Sequence, residues 1–179
     1  MLLKTVSVFT GPLHSIVFTW KGPHGERHDF QSDFWHIESK ATSRNVPIIR
    51  IHGHDQLAIP AGKHLLLFCF SASQESGAPD SIESEVEDIR VKLVSDPSAF
   101  AAFEESLMEA GWFPSEEPFR LRVRGADFYV VDDDFPSLGI ADLPVGVIGV
   151  DWEIDLSHVP AADVEVWGAV LSEKGDEIG

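Results

Sequence analysis

The sequence predicts a mixed α and β fold in one domain spanning residues 1–179. Segments with strand character come first, two amphipathic helices follow between Asp80 and Ala110, and the hydrophobic period then returns from about 3.6 residues to two. Neither an internal repeat nor a domain linker interrupts this order. We therefore expect a central mixed sheet, with the helical pair packed on it and a β-rich C-terminal extension.

The first part of the chain is predicted to consist of strands. Residues 5–9 and 15–20 are β-prone runs separated by Gly and Pro, and a Gly- and Pro-rich loop follows them. A hairpin is expected around the turn-forming residues 31–33. It would pair a short strand at residues 27–30 with an alternating strand at residues 34–40.

Two further strands and the helical pair are expected in the middle of the chain. Residues 47–51 read as a strand, and residues 63–70 are apolar enough for a strand buried on both faces. A Ser- and Gly-rich loop is expected at residues 71–78. Asp80 is the predicted N-cap of the first helix, and Asp96 followed by proline opens the second.

The C-terminal part is predicted to be rich in strands. Residues 119–124 alternate in polarity, residues 125–127 are expected to turn, and residues 128–131 would return as a hairpin partner. Residues 150–156 alternate between apolar and acidic side chains, which predicts a strand with one solvated acidic face.

The charge of the chain is distributed unevenly. The formal net charge of −17 argues against simple nucleic-acid binding, because an acidic surface repels phosphate. Residues 1–70, however, carry seven Lys and Arg against five Asp and Glu, a balance of +2, whereas residues 71–179 carry six against 25, a balance of −19. An anionic ligand would therefore be met by the N-terminal half.

Two carboxylates and one lysine form the candidate site. Glu38 and Lys40 alternate onto one face of the predicted strand, and the hairpin brings Asp29 close to them. Carboxylates so placed suit a hard divalent cation such as Mg²⁺, which polarises a phosphate, while a lysine orients or activates the attacking water. The alternative is a surface hairpin that carries an ordinary Glu/Lys pair.

These residues resemble a known active-site pattern. Asp29 followed by Glu38-Ser39-Lys40 is similar to the Asp-spacer-Glu-x-Lys core of the PD-(D/E)XK, restriction-endonuclease-like nucleases. A Trp-x-Gly-Pro-x-Gly motif begins at Trp20, and residues 135–156 carry a longer pattern that contains Phe-Pro-Ser-Leu, Asp-Leu-Pro-x-Gly-Val and Trp-x-Ile-x-Leu. Over about residues 16–157 the chain resembles the bacterial PD-(D/E)XK motif proteins, which are found near restriction-modification and phage-defence genes.

The resemblance implies a restriction-endonuclease-like α/β domain that hydrolyses DNA phosphodiesters with Mg²⁺, for which Mn²⁺ would substitute. Asp29 and Glu38 would hold the metal with a main-chain carbonyl near Ser39, Lys40 would act on the water, and Gln56 resembles a polar residue that assists at such sites. A double-strand cutter would need two active sites, so a homodimer is expected. The residues expected to contact DNA are Lys21, Arg27, Arg44 and His54.

A second hypothesis is a nuclease-like module that no longer cuts. Family members usually carry an N-terminal helix that supplies another glutamate to the metal, whereas none of residues 1–19 is acidic. Such a module would act as a binding or assembly subunit of a defence system. Its acidic C-terminal half would meet a basic partner protein or mimic DNA.

Other chemistry-bearing residues have plainer interpretations. His52-Gly53-His54 suggests zinc or a cupin motif, but a phosphate contact or a loop role is favoured, since helices follow where a cupin needs strands. A solvated or acid-paired face is favoured for the arginines at 120, 122 and 124, with contact to nucleic acid as the alternative. Residues 132–134 are predicted to be a hydrated acidic loop.

The lone cysteine and the hydropathy of the chain suggest its compartment. Cys69 lies in a strongly apolar run, which predicts a packed rather than a reactive thiol and fits a reducing environment. No apolar run reaches the roughly 18 residues of a membrane span, and the first residues do not resemble a signal peptide. We therefore expect a cytoplasmic protein.

Overall fold

A computed structural model describes residues 13–172 of the protein. Within this span the chain has an α+β fold with a five-stranded and a two-stranded sheet, which confirms the predicted class. The helices are α1 (Leu13–Thr19), α2 (Ile82–Leu93), α3 (Pro97–Glu109) and α4 (Val164–Ser172). The strands are β1 (Phe30–Gln31), β2 (Trp35–Thr42), β3 (Ile48–His52), β4 (His64–Gln74), β5 (Asp80–Ser81), β6 (Arg120–Val131) and β7 (Asp151–Asp155).

The larger sheet is built around β4 and has the strand order β1-β2-β4-β6-β5. β2 pairs with β4 in parallel, whereas the other neighbours are antiparallel, so the sheet is mixed as predicted. All side chains from Leu65 to Phe70 are buried, which confirms a strand covered on both faces. β4 continues to Gln74 because its last residues pair with β6, so the loop expected at residues 71–78 begins later than predicted.

The hairpin predicted around residues 125–127 is wrong, because β6 is one continuous strand. Ser71 of β4 pairs with Gly125 and Ala72 pairs with Val123, so Arg124 is an extra residue and the ladder contains a bulge. Glycine suits both turns and bulges, and the sequence pattern does not distinguish them.

α2 and α3 pack on one face of the larger sheet, as predicted. Val86, Ile89 and Leu93 bury the inner side of α2, and Phe103 and Leu107 bury the inner side of α3. These spacings of three and four residues place the apolar side chains on one side of each helix.

The first residue of α2 is set by its cap. The N-cap is Ser81 rather than the predicted Asp80, since Ser81 Oγ accepts a hydrogen bond from Ser84 N–H at 3.1 Å. Both residue types cap helices well, and the pairing of Asp80 with Leu121 of β6 makes it part of β5 instead. Asp96 caps α3 as predicted.

Two helices lie where none was predicted. Residues 15–20 were expected to form a strand, but α1 occupies most of this run and buries Ile16 and Val17. The short β-prone run was misleading because packing against α3 outweighs local propensity. Near the C-terminus, Trp167 of α4 stacks on Phe128 of β6, with ring centroids 4.8 Å apart. The β-prone run predicted at residues 5–9 lies outside the described residues.

β3 and β7 cover the other face of β4. Ile49, Ile51 and Ile154 join Leu67 of β4 in a second hydrophobic core on this side. β7 exposes its acidic side chains, and this confirms the predicted amphipathic strand. None of the helices between residues 13 and 172 is long and apolar enough to cross a membrane.

Candidate active site

Asp29 is held in place by the turn that precedes it. The backbone N–H groups of Lys21 and Gly22 both donate to the Asp29 carbonyl oxygen, at 2.7 and 3.0 Å. Gly22 opens a short 3-10 turn, and a Cβ added to it would lie 2.5 Å from Asp29 Oδ1. Glycine is needed here so that the carboxylate can lie against the backbone. The Trp-x-Gly-Pro-x-Gly motif therefore helps to place Asp29.

The β1/β2 hairpin brings Asp29 beside the Glu-x-Lys strand, as predicted. The two strands are antiparallel, and Ser39 N–H donates to Asp29 Oδ2 at 2.9 Å. The strand before the turn is shorter than predicted, because it begins at Phe30. Asp29 is thus tied to the residue that separates Glu38 from Lys40.

Lys40 is fixed between two oxygen acceptors. Its Nζ lies 2.8 Å from Glu38 Oε1 and donates to Gln56 Oε1, also at 2.8 Å. The same Gln56 oxygen accepts a hydrogen bond from His52 N–H at 2.9 Å, which orients the amide. The Lys40 and Glu38 side chains are only 14% and 4% exposed, so the pair does not belong to a surface hairpin.

Burial disfavours the charged forms of the Asp29 and Glu38 carboxyl groups. Burial raises the pKa of Glu38 to about 7; Lys40 lowers that pKa and the nearby Asp29 raises it. Burial also raises the pKa of Asp29, against the opposing effects of the Ser39 N–H and the Lys40 ammonium. A cation bound near the two carboxyl groups would lower both pKa values and stabilise the charged forms.

A cavity of about 350 Å³ gives access to Asp29 and Ser39. Glu38 and Lys40 do not line it, since Trp35 and Ile37 of β2 face the helical core and strand alternation puts Ser39 on the same side. The remaining lining residues are Trp20, Gly22, Pro23, Phe30 and Ala110.

The donor set fits Mg²⁺ better than a metal that needs a full protein cage. Between residues 13 and 172 no group of three or more His, Cys, Asp and Glu side chains is arranged to hold a metal. Mg²⁺, however, is typically held by one or two carboxylates and completes its shell with water and substrate phosphate. Asp29 and Glu38 are two such hard donors, and they are close enough for one to raise the pKa of the other.

The family to which the chain belongs is shown by a match over most of its length. A family model described as "Putative PD-(D/E)XK family member, (DUF4420)" matches residues 1–157. The chain belongs to this PD-(D/E)XK family. No curated protein and no solved structure matches the chain significantly. The match confirms the resemblance stated from the sequence and extends it to the first residue.

Two of the four predicted DNA contacts of this PD-(D/E)XK protein are engaged within the chain. Arg44 forms a two-pronged pair with Glu153 of β7, at 2.7 and 3.1 Å. Arg27 lies 3.5 Å from Asp55. The Lys21 ammonium makes no ion pair with any residue in the described part of the chain, and His54 is half-buried two residues before Gln56.

The three arginines that alternate along β6 each contact another group of the same chain. Arg122 pairs with Glu75, as the acid-paired interpretation predicted. Arg120 donates to the Ala78 carbonyl at 2.9 Å and Arg124 to the Arg44 carbonyl at 2.7 Å.

Cys69 is buried, and burial raises the pKa of its thiol to about 11, which confirms a packed cysteine.

The sequence prediction missed a buried histidine pair beside the site. The Nδ1 atoms of His28 and His36 lie 2.9 Å apart, so one ring donates and the other accepts. Burial lowers the pKa of His28 to about 4 and also lowers that of His36, on which Lys63 acts in the same direction. The alternation of β2, which places His36 on the same face as Glu38, was a sequence feature that could have indicated this pair. The pair ties the residue before Asp29 to β2.

Proposed function

We propose that the protein is a metal-dependent endonuclease that hydrolyses DNA phosphodiester bonds, with Mg²⁺ as its metal and Mn²⁺ as a substitute. The observation that carries this proposal is the Lys40 ammonium held 2.8 Å from both Glu38 and Gln56, on the strand that also binds Asp29. Restriction or phage defence in the cytoplasm is the proposed setting.

The metal would be held by Asp29 and Glu38, with the main-chain carbonyl near Ser39 as a further ligand. The bound ion supplies Lewis-acid polarisation of the scissile phosphate and lowers the pKa of a water molecule. Two strained carboxylates and the match to the family support this assignment.

Lys40 would act on the attacking water and on the phosphate. Its ammonium orients the water and offsets the negative charge that develops on the phosphoryl oxygens. Gln56 holds that ammonium in position, and His52 N–H in turn fixes Gln56. A charged group that is already oriented needs little reorganisation when the reaction occurs.

Replacing the lysine tests the proposal. Lys40→Ala should lower Mg²⁺-dependent cleavage of plasmid DNA by at least about 100-fold, the scale of removing one group that stabilises a transition state. Lys92→Ala, which alters an exposed lysine of α2, is the matched control and should cleave normally. Circular dichroism should show both variants folded. Undiminished cleavage by Lys40→Ala would refute the assignment.

A non-cutting module remains the second candidate. The observation in its favour is that α1, at residues 13–19, contains no carboxylate to join Asp29 and Glu38. Titration calorimetry with Mg²⁺ and Mn²⁺ distinguishes the candidates. Binding that is lost in Asp29→Ala supports the nuclease, whereas no binding at millimolar metal supports the module.

A further inference from the structure

A chain of polar side chains connects the start of β4 with the residue before Asp29. The Lys63 ammonium donates to the Ser32 carbonyl at 2.8 Å and lies 3.3 Å from His36 Nε2. The His36 ring in turn lies 2.9 Å from the His28 ring, measured between their Nδ1 atoms. Both imidazoles are buried, and His28 is only 1% exposed. The proposed hydrolysis assigns no role to these three side chains.

The direction of these hydrogen bonds is fixed by the lysine. An ammonium group donates and cannot accept, so His36 Nε2 is the acceptor and carries no proton. A neutral imidazole then has its proton on Nδ1, and His36 Nδ1–H donates to His28 Nδ1. His28 must therefore carry its own proton on Nε2. The chain thus presents one N–H donor, at the end opposite Lys63.

The donor at this end interacts with the turn that carries Gln56. His28 Nε2 is buried and has no hydrogen-bond partner among residues 13–172. The main chain of Gln56 nevertheless raises the pKa of His28, against the larger effect of burial. A main-chain group acts in this direction when its carbonyl accepts from the ring. Because an unsatisfied buried donor is costly, the Gln56 carbonyl is the acceptor that His28 requires.

Gln56 also holds the lysine of the candidate site. Its Oε1 accepts from the Lys40 ammonium at 2.8 Å and from His52 N–H at 2.9 Å. The side chain of Gln56 is thus anchored by His52, whereas its main chain interacts with His28. A shift of this turn would lengthen the bond to Lys40 and move the ammonium from its place beside Glu38.

We propose that His36 and Lys63 are positioning residues. They orient His28 so that its Nε2–H donates to the main-chain carbonyl of Gln56. Gln56 in turn holds the Lys40 ammonium where it acts on the attacking water, so the inference rests on the proposed function. The chain thereby links the start of β4 and the β1/β2 hairpin to the turn after β3.

Proton–nitrogen correlation spectra of the histidine rings test the direction of the chain. The sample is the full-length protein without metal or DNA, and long-range correlations distinguish a protonated ring nitrogen from an unprotonated one. His36 should carry its proton on Nδ1 and His28 should carry it on Nε2. The opposite tautomer at His28 would overturn the proposal.

Substitutions along the chain test its effect on the lysine. His36→Asn retains an N–H donor near the position of Nδ1, whereas His36→Leu removes it. In His36→Leu the proton–nitrogen signals of the Lys40 ammonium and the Gln56 side-chain amide should shift and broaden, and His36→Asn should largely restore them. Lys63→Met, at a half-buried position, should act like His36→Leu and serves if that variant does not fold. His158→Leu, at a side chain that is 84% exposed, should change neither signal.

Kinetics of Mg²⁺-dependent cleavage give a further readout. His36→Leu should lower kcat about tenfold with KM unchanged, the scale of losing a residue that supports a site, and His36→Asn should recover most of kcat. Unmoved Lys40 and Gln56 signals in folded His36→Leu or Lys63→Met would overturn the proposal. Failure of the proposed function would appear separately, as cleavage that Lys40→Ala does not diminish.

Discussion

At the scale of single residues, the candidate site concentrates groups whose charges burial disfavours. Glu38 is almost inaccessible, Asp29 is partly buried beside it, and the Lys40 ammonium is the nearest cation. The two carboxylates and the lysine leave an excess of negative charge in a region that water reaches poorly. Such an arrangement lowers stability without a metal, and the same strain favours binding of a cation.

The pKa of Glu38 predicts how stability changes with pH. Its pKa rises from 4.5 to about 7 on folding, so the folded state holds this proton more tightly than the unfolded state. In metal-free buffer this group therefore lowers the free energy of unfolding as pH increases from about 4.5 to 7, by up to roughly 3 kcal/mol. Glu38→Gln removes that effect.

We expect Glu38→Gln to be more stable than the wild type at pH 8 in the presence of a chelator, with the difference shrinking toward pH 4. Urea denaturation across this range measures it. A constant difference at all pH values would contradict the assignment of the raised pKa to Glu38.

At the scale of elements, the site depends on short connections that hold the hairpin. Backbone N–H groups at the start of the 3-10 turn donate to the Asp29 carbonyl, and the β1/β2 pairing places Asp29 beside Ser39. The turn after β3 brings Gln56 within hydrogen-bond distance of Lys40. The parallel pairing of β2 with β4, the central strand of the sheet, anchors the Glu-x-Lys strand. The catalytic candidates therefore lie on supported backbone rather than on free loops.

Gly22 provides a test of this support. Gly22→Ala should displace the Asp29 carboxylate, since the new Cβ would lie 2.5 Å from its Oδ1. We expect Mg²⁺ affinity, measured by calorimetry, to fall about tenfold or more, as for the loss of a supporting contact at a metal site. Gly77→Ala is the control, because its Cβ would meet nothing within 4 Å; an equal loss in both variants would refute the explanation.

The start of α2 gives a second prediction at this scale. Ser81→Ala should lower the free energy of unfolding by about 1 kcal/mol, because it removes the side chain that caps Ser84 N–H. Asp80→Ala should have a much smaller effect, since Asp80 precedes the cap. Urea denaturation distinguishes the two residues, and a larger loss in Asp80→Ala would mean that the cap is misassigned.

At the scale of the whole molecule, the charge distribution restricts how DNA can approach. The C-terminal part repels phosphate, whereas the N-terminal part around the site is slightly basic. Any DNA complex should therefore be formed through few phosphate contacts and weaken at high salt. Repulsion between the acidic C-terminal part and phosphate would disfavour orientations in which DNA does not reach the candidate site.

Lys21 is the predicted contact that can be tested most cleanly, because its ammonium has no ion-pair partner among residues 13–172. Lys21→Ala should weaken DNA binding and reduce the slope of log affinity against log salt by about one. Fluorescence anisotropy measures both quantities, with Lys40→Ala, which is expected not to cleave, as the background. Adding Lys92→Ala to the same background should change neither, and an unchanged slope in the Lys21 variant would exclude this contact.

Local periodicity was sufficient for much of the architecture. The buried strand β4, the amphipathic β7 and the apolar sides of α2 and α3 follow from side chains a few residues apart, and the Asp29/Glu38/Lys40 arrangement follows from one hairpin. Gln56 was found through the resemblance to a family. These features depend on neighbouring residues or on a shared motif, so the sequence alone determined them.

Tertiary packing decided the rest. α1 forms because its apolar side chains meet α3, and β6 continues through a bulge because β4 offers it a full-length partner. The buried His28/His36 pair exists only after β2 is covered. The close fit of Gly22 against Asp29 requires a turn and a strand to meet. Each of these depends on surfaces brought together by folding, which local patterns of polarity do not encode.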